Sequence, residues 1–305
     1  MKKATPPPRR PKARKSQTKP AAAPAKRPSE VFPDRRAMEG FMAGLFGRVE
    51  ANANGAVDEA QEMMYDAWEA SGAERVALAR AALDISPLCA DAYVLLAEEE
   101  AGSQQDALAL YRQGVEAGER ALDDEFDELS GHYWGFLQTR PYMRARAGLA
   151  ITLWRLGEQQ AAIDHYRAML ILNPNDNQGI RYLLATALLA RDDIAGLKVL
   201  LNQYEEDGSA AWVYTLALIA YREQDPHGSA TVQEAWDSNP HVPAMLAGLK
   251  RLTPSRDGYI SMGGEDEATA YVEENGAAWR AVPGAVEWLV ERTAALKPRH
   301  RGRKS

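Results

Sequence analysis

The stretch 141–189, PYMRARAGLAITLWRLGEQQAAIDHYRAMLILNPNDNQGIRYLLATALL, leaves this chain few architectures to choose from. Leu149, Ala150 and Leu153 recur at helical spacing, so 144–156 carries one apolar face. Gly157 follows as a C-cap glycine. Ala162, Tyr166, Met169, Leu170 and Leu172 form the stripe of a second helix, and the small Ala162 lets an antiparallel first helix approach. Pro174 stops that helix, while Asn175, Asp176 and Asn177 offer caps to another starting near Gln178. A single hairpin of this kind cannot hide its apolar face, so copies must stack.

Less regular copies run along the rest of the chain. The first pairs a helix at 56–70, with Met63, Met64, Ala67 and Trp68 on one side and Gly72 closing it, with another at 76–85 that Pro87 ends. The second, 90–118, is marked by Tyr93, Leu96 and Ala97 and then by Ala107, Tyr111 and Gly114. An acidic, then aromatic insertion follows at 123–139, containing GHYWG at 131–135. Proline spacing agrees: Pro174 to Pro240 is two ordinary repeats, whereas Pro87 to Pro174 leaves room for an insertion. A fourth unit spans 177–207, a fifth ends at Pro240, and 243–252 begins a sixth before a loop at 253–264. Helices at 265–278 and 283–296 would cover the last apolar face.

Small residues at helix crossings, an aromatic in the second helix and a closing proline resemble the tetratricopeptide pattern of ~34 residues. Ala150, Gly157, Ala162, Tyr166 and Pro174 carry it, with Arg146 where the pattern favours Trp. The resemblance implies an all-α, tetratricopeptide-like α-solenoid, a right-handed superhelix of helix-turn-helix repeats. It would occupy 37–252, capped by 253–296 and flanked by basic tails at 1–36 and 297–305.

Charge is distributed unevenly. Residues 1–36 hold 12 Lys and Arg against Glu30 and Asp34, and 297–305 adds five more, so 19 basic and 41 acidic residues remain between, a net of -22. The Pro-, Ala- and Lys-rich segment 1–28 has no apolar periodicity and is predicted to be disordered. It either solubilises the chain, folding weakly onto the acidic body, or attracts nucleic acid or another polyanion by counterion release. Its prolines argue against an amphipathic targeting helix. No apolar run approaches the ~18 residues of a membrane span, and no secretory signal is visible. Cys89 is the only cysteine, which fits a reducing compartment, and the expected location is cytoplasmic.

Three segments resemble the suppressor-of-tumorigenicity-seven protein family: ADAYVLLAEEEA at 90–101, NPHVPAMLAGLK at 239–250 and GEDEATAYVEENGAAWRAVPGAVEWL at 264–289. The likeness spans about 61–289 and implies an interaction protein with repeat-type helices and no transferable active site. Animal members of that family resemble membrane-anchored proteins. This chain has a charged tail where they have apolar segments, so membrane placement is not carried over, and 139–146 and 173–184 suggest a soluble branch.

No phosphate-binding, dinucleotide, zincin or nucleophile-elbow motif is present. The five histidines lack metal-ligand spacing, and the Asn- and Asp-rich 173–179 has its glycine out of register for calcium, so neither metal nor cofactor is expected. The remaining candidate is a concave groove lined by the first helix of each repeat. Projecting the period places Arg144, Trp154, Arg181, Tyr182, Tyr214 and Tyr221 on or near it. Guanidinium forks there could grip the carboxylate of a protein or peptide partner, or pair with nearby Asp and Glu, the aromatics being core instead. His132, Tyr133, Trp134 and Arg140 form a second patch, read either as recognition element or as internal plug. The function expected is a non-catalytic scaffold binding a protein segment.

Overall fold

The computed structural model describes Arg36, Glu39 and residues 55–253 and 260–296. Except for Arg36 and Glu39, the basic tails and the helix expected near 38–47 lie outside the described residues, as do 254–259 of the expected loop. Among the described residues the chain is all α, with no strand.

The helices are α1 (Gly55–Glu69), α2 (Gly72–Ile85), α3 (Ala90–Glu99), α4 (Gln104–Leu122) and the single turn α5 (Glu125–Glu128). Two 3-10 turns, Tyr133–Gly135 and Leu137–Thr139, lead into α6 (Arg140–Arg155) and α7 (Gln159–Leu172). Then come α8 (Ile180–Ala190), α9 (Ile194–Gln203), α10 (Ala210–Arg222), α11 (Gly228–Ser238) and the short α12 (Val242–Leu246). The described chain closes with α13 (Glu265–Ala281) and α14 (Ala285–Thr293). Consecutive helices pack as pairs, α1 with α2, α3 with α4, α6 with α7, α8 with α9 and α10 with α11, and each pair touches the next.

One turn geometry recurs where the first helix of a pair ends. Gly157, Asp192 and Gln224 all stand at positive φ, and the following amide reaches back five residues, Glu158 to Leu153, Asp193 to Leu188 and Asp225 to Ala220, each at 2.9 Å. This is the Schellman closure, which satisfies carbonyls that the end of α6, α8 or α10 would leave bare. Starts are fixed as firmly. Ser103, Asp193 and Ser209 accept hydrogen bonds from the first-turn amides of α4, α9 and α10. Asp176 receives the Ile180 and Arg181 amides at 2.7 and 2.9 Å, and with Asp176 and Gly179 both at positive φ, α8 starts at Ile180 rather than Gln178.

Two other expected boundaries move. Gly72 opens α2, at φ 61, instead of closing the helix before it. The helix expected over 243–252 stops at Leu246, because Gly248 turns left-handed at φ 70 and the Leu249 and Lys250 amides both reach back to the Ala244 carbonyl at 2.9 and 3.1 Å.

Packing divides into a cluster under α1–α3, around Met64, Trp68, Leu95 and Leu96, and a larger one running from α3 to α14. Trp212 sits in the larger cluster with no exposure, its ring edge-on to Tyr182 and Tyr204 and its Nε1 donating to the Leu201 carbonyl at 3.3 Å. Cys89 is buried in the smaller one, where desolvation pushes its thiol up to about 12 and makes it inert packing.

Helix α13 reaches back past its sequence neighbours, packing on α8 and α10 as well as α12. Its Glu267 carboxylate accepts from the Ala210 amide at 2.9 Å, the Gly263 amide at 2.7 Å and Asn239 Nδ2 at 3.0 Å. A carboxylate at the start of α10 meets the partial positive charge of that helix end. Further along, the Tyr271 ring lies 5.8 Å from that of Tyr214, and Thr186 Oγ1 donates to Asn275 Oδ1 at 3.2 Å.

Candidate functional site

Arg144, one of the two arginines expected in the groove, closes a buried charge cluster between the two core clusters. Asp91, in the first turn of α3, has no exposed surface. Arg144 reaches it from α6, Nε and Nη2 donating to its two oxygens at 2.7 and 2.6 Å, a fork on a fork. Gln61 Nε2 adds a donor to Asp91 at 2.9 Å. The remaining Arg144 nitrogen donates to the Glu39 oxygens at 3.0 and 2.9 Å, and Arg140 Nη1 donates to the same carboxylate at 3.1 Å. Two cations thus face two anions, with the Trp68 ring 5.0 Å from the Arg144 guanidinium. Burial alone would lower the Arg144 pKa, but Asp91 and Glu39 outweigh it and the net shift is upward.

Arg181 closes a second centre. It donates from Nε to Asp207 at 2.7 Å, from Nη1 to Asp176 at 3.0 Å and from Nη2 to the Tyr182 hydroxyl at 2.7 Å. Tyr182 in turn donates to Asp207 at 2.8 Å, and its ring lies 4.4 Å from the guanidinium. The two carboxylates respond oppositely. At Asp176 burial dominates and holds the pKa above the usual value, whereas at Asp207 the burial effect is overcome by hydrogen bonds from Ser209 and Arg181, and the net shift is downward.

The other expected groove residues lie elsewhere. Tyr214 is fully buried and donates to the Asn239 carbonyl at 2.6 Å. Tyr221 is half-buried, donates to the Pro283 carbonyl at 2.9 Å and packs 5.0 Å from Trp288 of α14. Trp154 is half-buried against the larger core. In the insertion, Tyr133 is buried, donates to the Phe126 carbonyl at 2.8 Å and meets Phe126 and Tyr142 edge-on. His132 is exposed, while Trp134 is half-buried with Arg140 stacked 5.2 Å above it. Arg140 therefore joins the insertion patch to the Arg144 cluster, and the Arg181 centre and the two tyrosines stand apart.

Two of the clefts that open between helices among the described residues flank α8 and α6. One of 520 Å³, among α8, α10 and α13, is lined by Thr186, Leu189, Asp192, Arg222, Glu274 and Asn275. Partial burial and the adjacent Glu273 push the Glu274 carboxyl above its usual range. The other, of 460 Å³, lies among α3, α4 and α6, with Glu98, Tyr111, Gly148, Ile151, Thr152 and Arg155 on its walls. Both volumes fall in the range of ~300–1,000 Å³ typical of binding clefts.

Glu39, Asp91, Glu98 and Arg155 complete these sites, and sequence reasoning did not single them out. For Asp91 a signal existed, a carboxylate in the first turn of an expected helix, as Arg144 is a cation in the first half of another. Among the described residues no helix is long and apolar enough to cross a membrane.

Compared with known proteins, residues 50–293 match the family model described as ST7 protein. The chain is 29% identical over 259 residues to the Suppressor of tumorigenicity 7 protein-like of Bos taurus, covering 74% of this chain and 45% of that protein. It is 28% identical to the Protein ST7 homolog of Caenorhabditis elegans, over 75% of this chain and 49% of that one. With the Drosophila melanogaster Protein ST7 homolog it shares 27% identity, over 76% and 48% respectively. The chain thus spans about half the length of these relatives.

Proposed function

The chain belongs to the ST7 protein family, and from that premise we propose that it is a non-catalytic scaffold, a tetratricopeptide-type solenoid that binds a segment of another protein along the face its repeat-opening helices share. The observation that carries this reading is α13, a helix laid across α8 and α10. On α8 it meets Thr186 and, across the adjoining cleft, Leu189. One repeat of ~34 residues earlier, the corresponding positions are Thr152 and Arg155, which line the cleft among α3, α4 and α6. That face thus carries a helix on α8, held at Thr186 beside one cleft, and lines a second cleft on α6. Arg155 is exposed there at the end of α6, a cation suited to a carboxylate on the incoming segment.

The test is affinity capture from cell extract with the wild-type chain and with Arg155→Glu, both checked by thermal melting. A protein retained by the wild type and lost from an equally stable variant supports the assignment. An unchanged set of captured proteins removes the cleft from it. The excess of basic residues in 1–36 favours a second reading, a polyanion-associated protein. That reading requires capture that falls steeply with salt and vanishes when 1–28 is deleted, with Arg155→Glu neutral.

A further inference from the structure

The cleft among α8, α10 and α13 carries a charge that nothing meets. Asp192 and Arg222 on its wall pair with each other and cancel. Glu274, in the middle of α13, has no hydrogen-bond or ion-pair partner among the described residues. Partial burial and the adjacent Glu273 both disfavour its charge, a condition that an incoming cation relieves. Beside it Asn275 is only 4% exposed yet lines the same cleft. Its Oδ1 accepts from Thr186 at 3.2 Å, while its Nδ2 donates to no group among the described residues. Polar groups so enclosed are normally satisfied, so this nitrogen calls for an acceptor from outside.

The shape points to a chain rather than an ion. Past Arg222, Ala281 and Val282 the cleft continues into a further hollow of 450 Å³ between Tyr221, Gln224 and Pro283. Leu189, Ala278, Ala281 and Val282 make its walls apolar. A small cation would use the carboxylate and leave the amide donor and the rest of the furrow empty. An extended peptide uses them all. An arginine can lay its methylenes on the apolar wall and its guanidinium fork on Glu274, while a backbone carbonyl accepts from Asn275 Nδ2. We propose that this cleft is a binding site for an extended peptide segment bearing arginine, with Glu274 taking the guanidinium and Asn275 the backbone. This is a second site beyond the scaffold reading, and its readout on α13 does not pass through capture at Arg155, so either assignment can fail alone.

The experiment titrates the isotope-labelled full-length chain with the blocked peptide acetyl-Ala-Arg-Ala-amide and follows backbone amide shifts along α13. Saturable shifts centred on Glu274 and Asn275 are expected. The same peptide with citrulline for arginine keeps the shape and removes the charge, and is expected to bind at least about tenfold more weakly. The arginine peptide on a Glu274→Gln chain is expected to lose at least about as much, tenfold. Methylguanidinium, which offers the cation without a carbonyl, is expected to be at least about tenfold weaker than the peptide. Glu273→Gln removes the same charge from beside the cleft and is expected to change affinity by less than about twofold. Equal binding of the arginine and citrulline peptides, equal losses from Glu273→Gln and Glu274→Gln, or shifts without a centre on α13 overturn the proposal. Methylguanidinium as tight as the peptide also overturns it, leaving a site for a small cation. A chain lacking 297–305 that binds the peptide at least about tenfold more tightly overturns it too, by giving the cleft to the chain's own basic tail.

Discussion

A carboxylate without exposed surface is tolerable only if its oxygens are met, and Asp91 shows how closely its own cluster meets this condition. Arg144 and Gln61 supply three donors within 2.9 Å. Removing one member of a buried pair leaves the other charge stranded, at a cost of about 3–5 kcal/mol. Asp91→Ala is therefore expected to lower unfolding free energy by about that amount in urea titration. For comparison, Arg167 and Asp193, 3.4 Å apart with side chains 46% and 41% exposed, form a pair whose loss should cost about 1 kcal/mol or less. A similar small loss for Asp91→Ala would mean that water or the Glu39 carboxylate relieves Arg144, and the Asp91 pair would not be what holds the cluster together. The sequence assigned Arg144 and Arg181 to helices, and they lie in the first halves of α6 and α8. It could not show what they touch, since Asp91 is 53 positions from Arg144 and Asp207 is 26 from Arg181. Of the two alternatives the sequence left open for these arginines, the structure contains the pairing with Asp and Glu.

Between α4 and α6, the backbones approach so closely at Gly118 that a side chain there has no room. A Cβ on Gly118 of α4 would stand 2.9 Å from Tyr142 Cβ and 3.0 Å from Tyr142 Cα on α6. The obstacle includes backbone, so a rotamer change cannot clear it. Gly→Ala within a helix gains up to about 1 kcal/mol of propensity, but overpacking costs about 1–3 kcal/mol. Gly118→Ala is expected to be net destabilising in thermal or urea unfolding, and a stabilised variant would show that α4 and α6 separate freely. The helices themselves were legible, because apolar stripes repeat along 141–189 and Gly157 and Pro174 punctuate them. The shared closure of α6, α8 and α10 was not. Asp192 and Gln224 adopt the left-handed conformation that only Gly157 advertises. Nor was the early end of α12, where Gly248 overrides an apolar run that reads as continuous helix.

For the molecule as a whole, the position of α13 changes what loss of the C-terminal end should do. In a strictly linear array each unit touches only its neighbours, and removing the last one costs roughly one interface. Here α13 ties α8 to α10 directly, through Asn275 on Thr186 and Glu267 on the Ala210 amide. Its Tyr271 also covers the ring of Tyr214. A chain ending before Glu265 should therefore lose stability around α8 and α10, not only beside the segment removed. Burial of each large apolar side chain is worth about 1.5–3 kcal/mol, so uncovering several approaches the ~5–15 kcal/mol that holds a whole domain. Hydrogen exchange distinguishes the cases. Amides of α8 in the truncated chain are expected to exchange at least about tenfold faster, equivalent to about 1.4 kcal/mol of lost protection, while those of α1–α3 stay as in the full chain. Unchanged protection across α8, with loss confined to α11 and α12, would make α13 a terminal cap, and the argument that this face accepts a helix along its length would lose its main support.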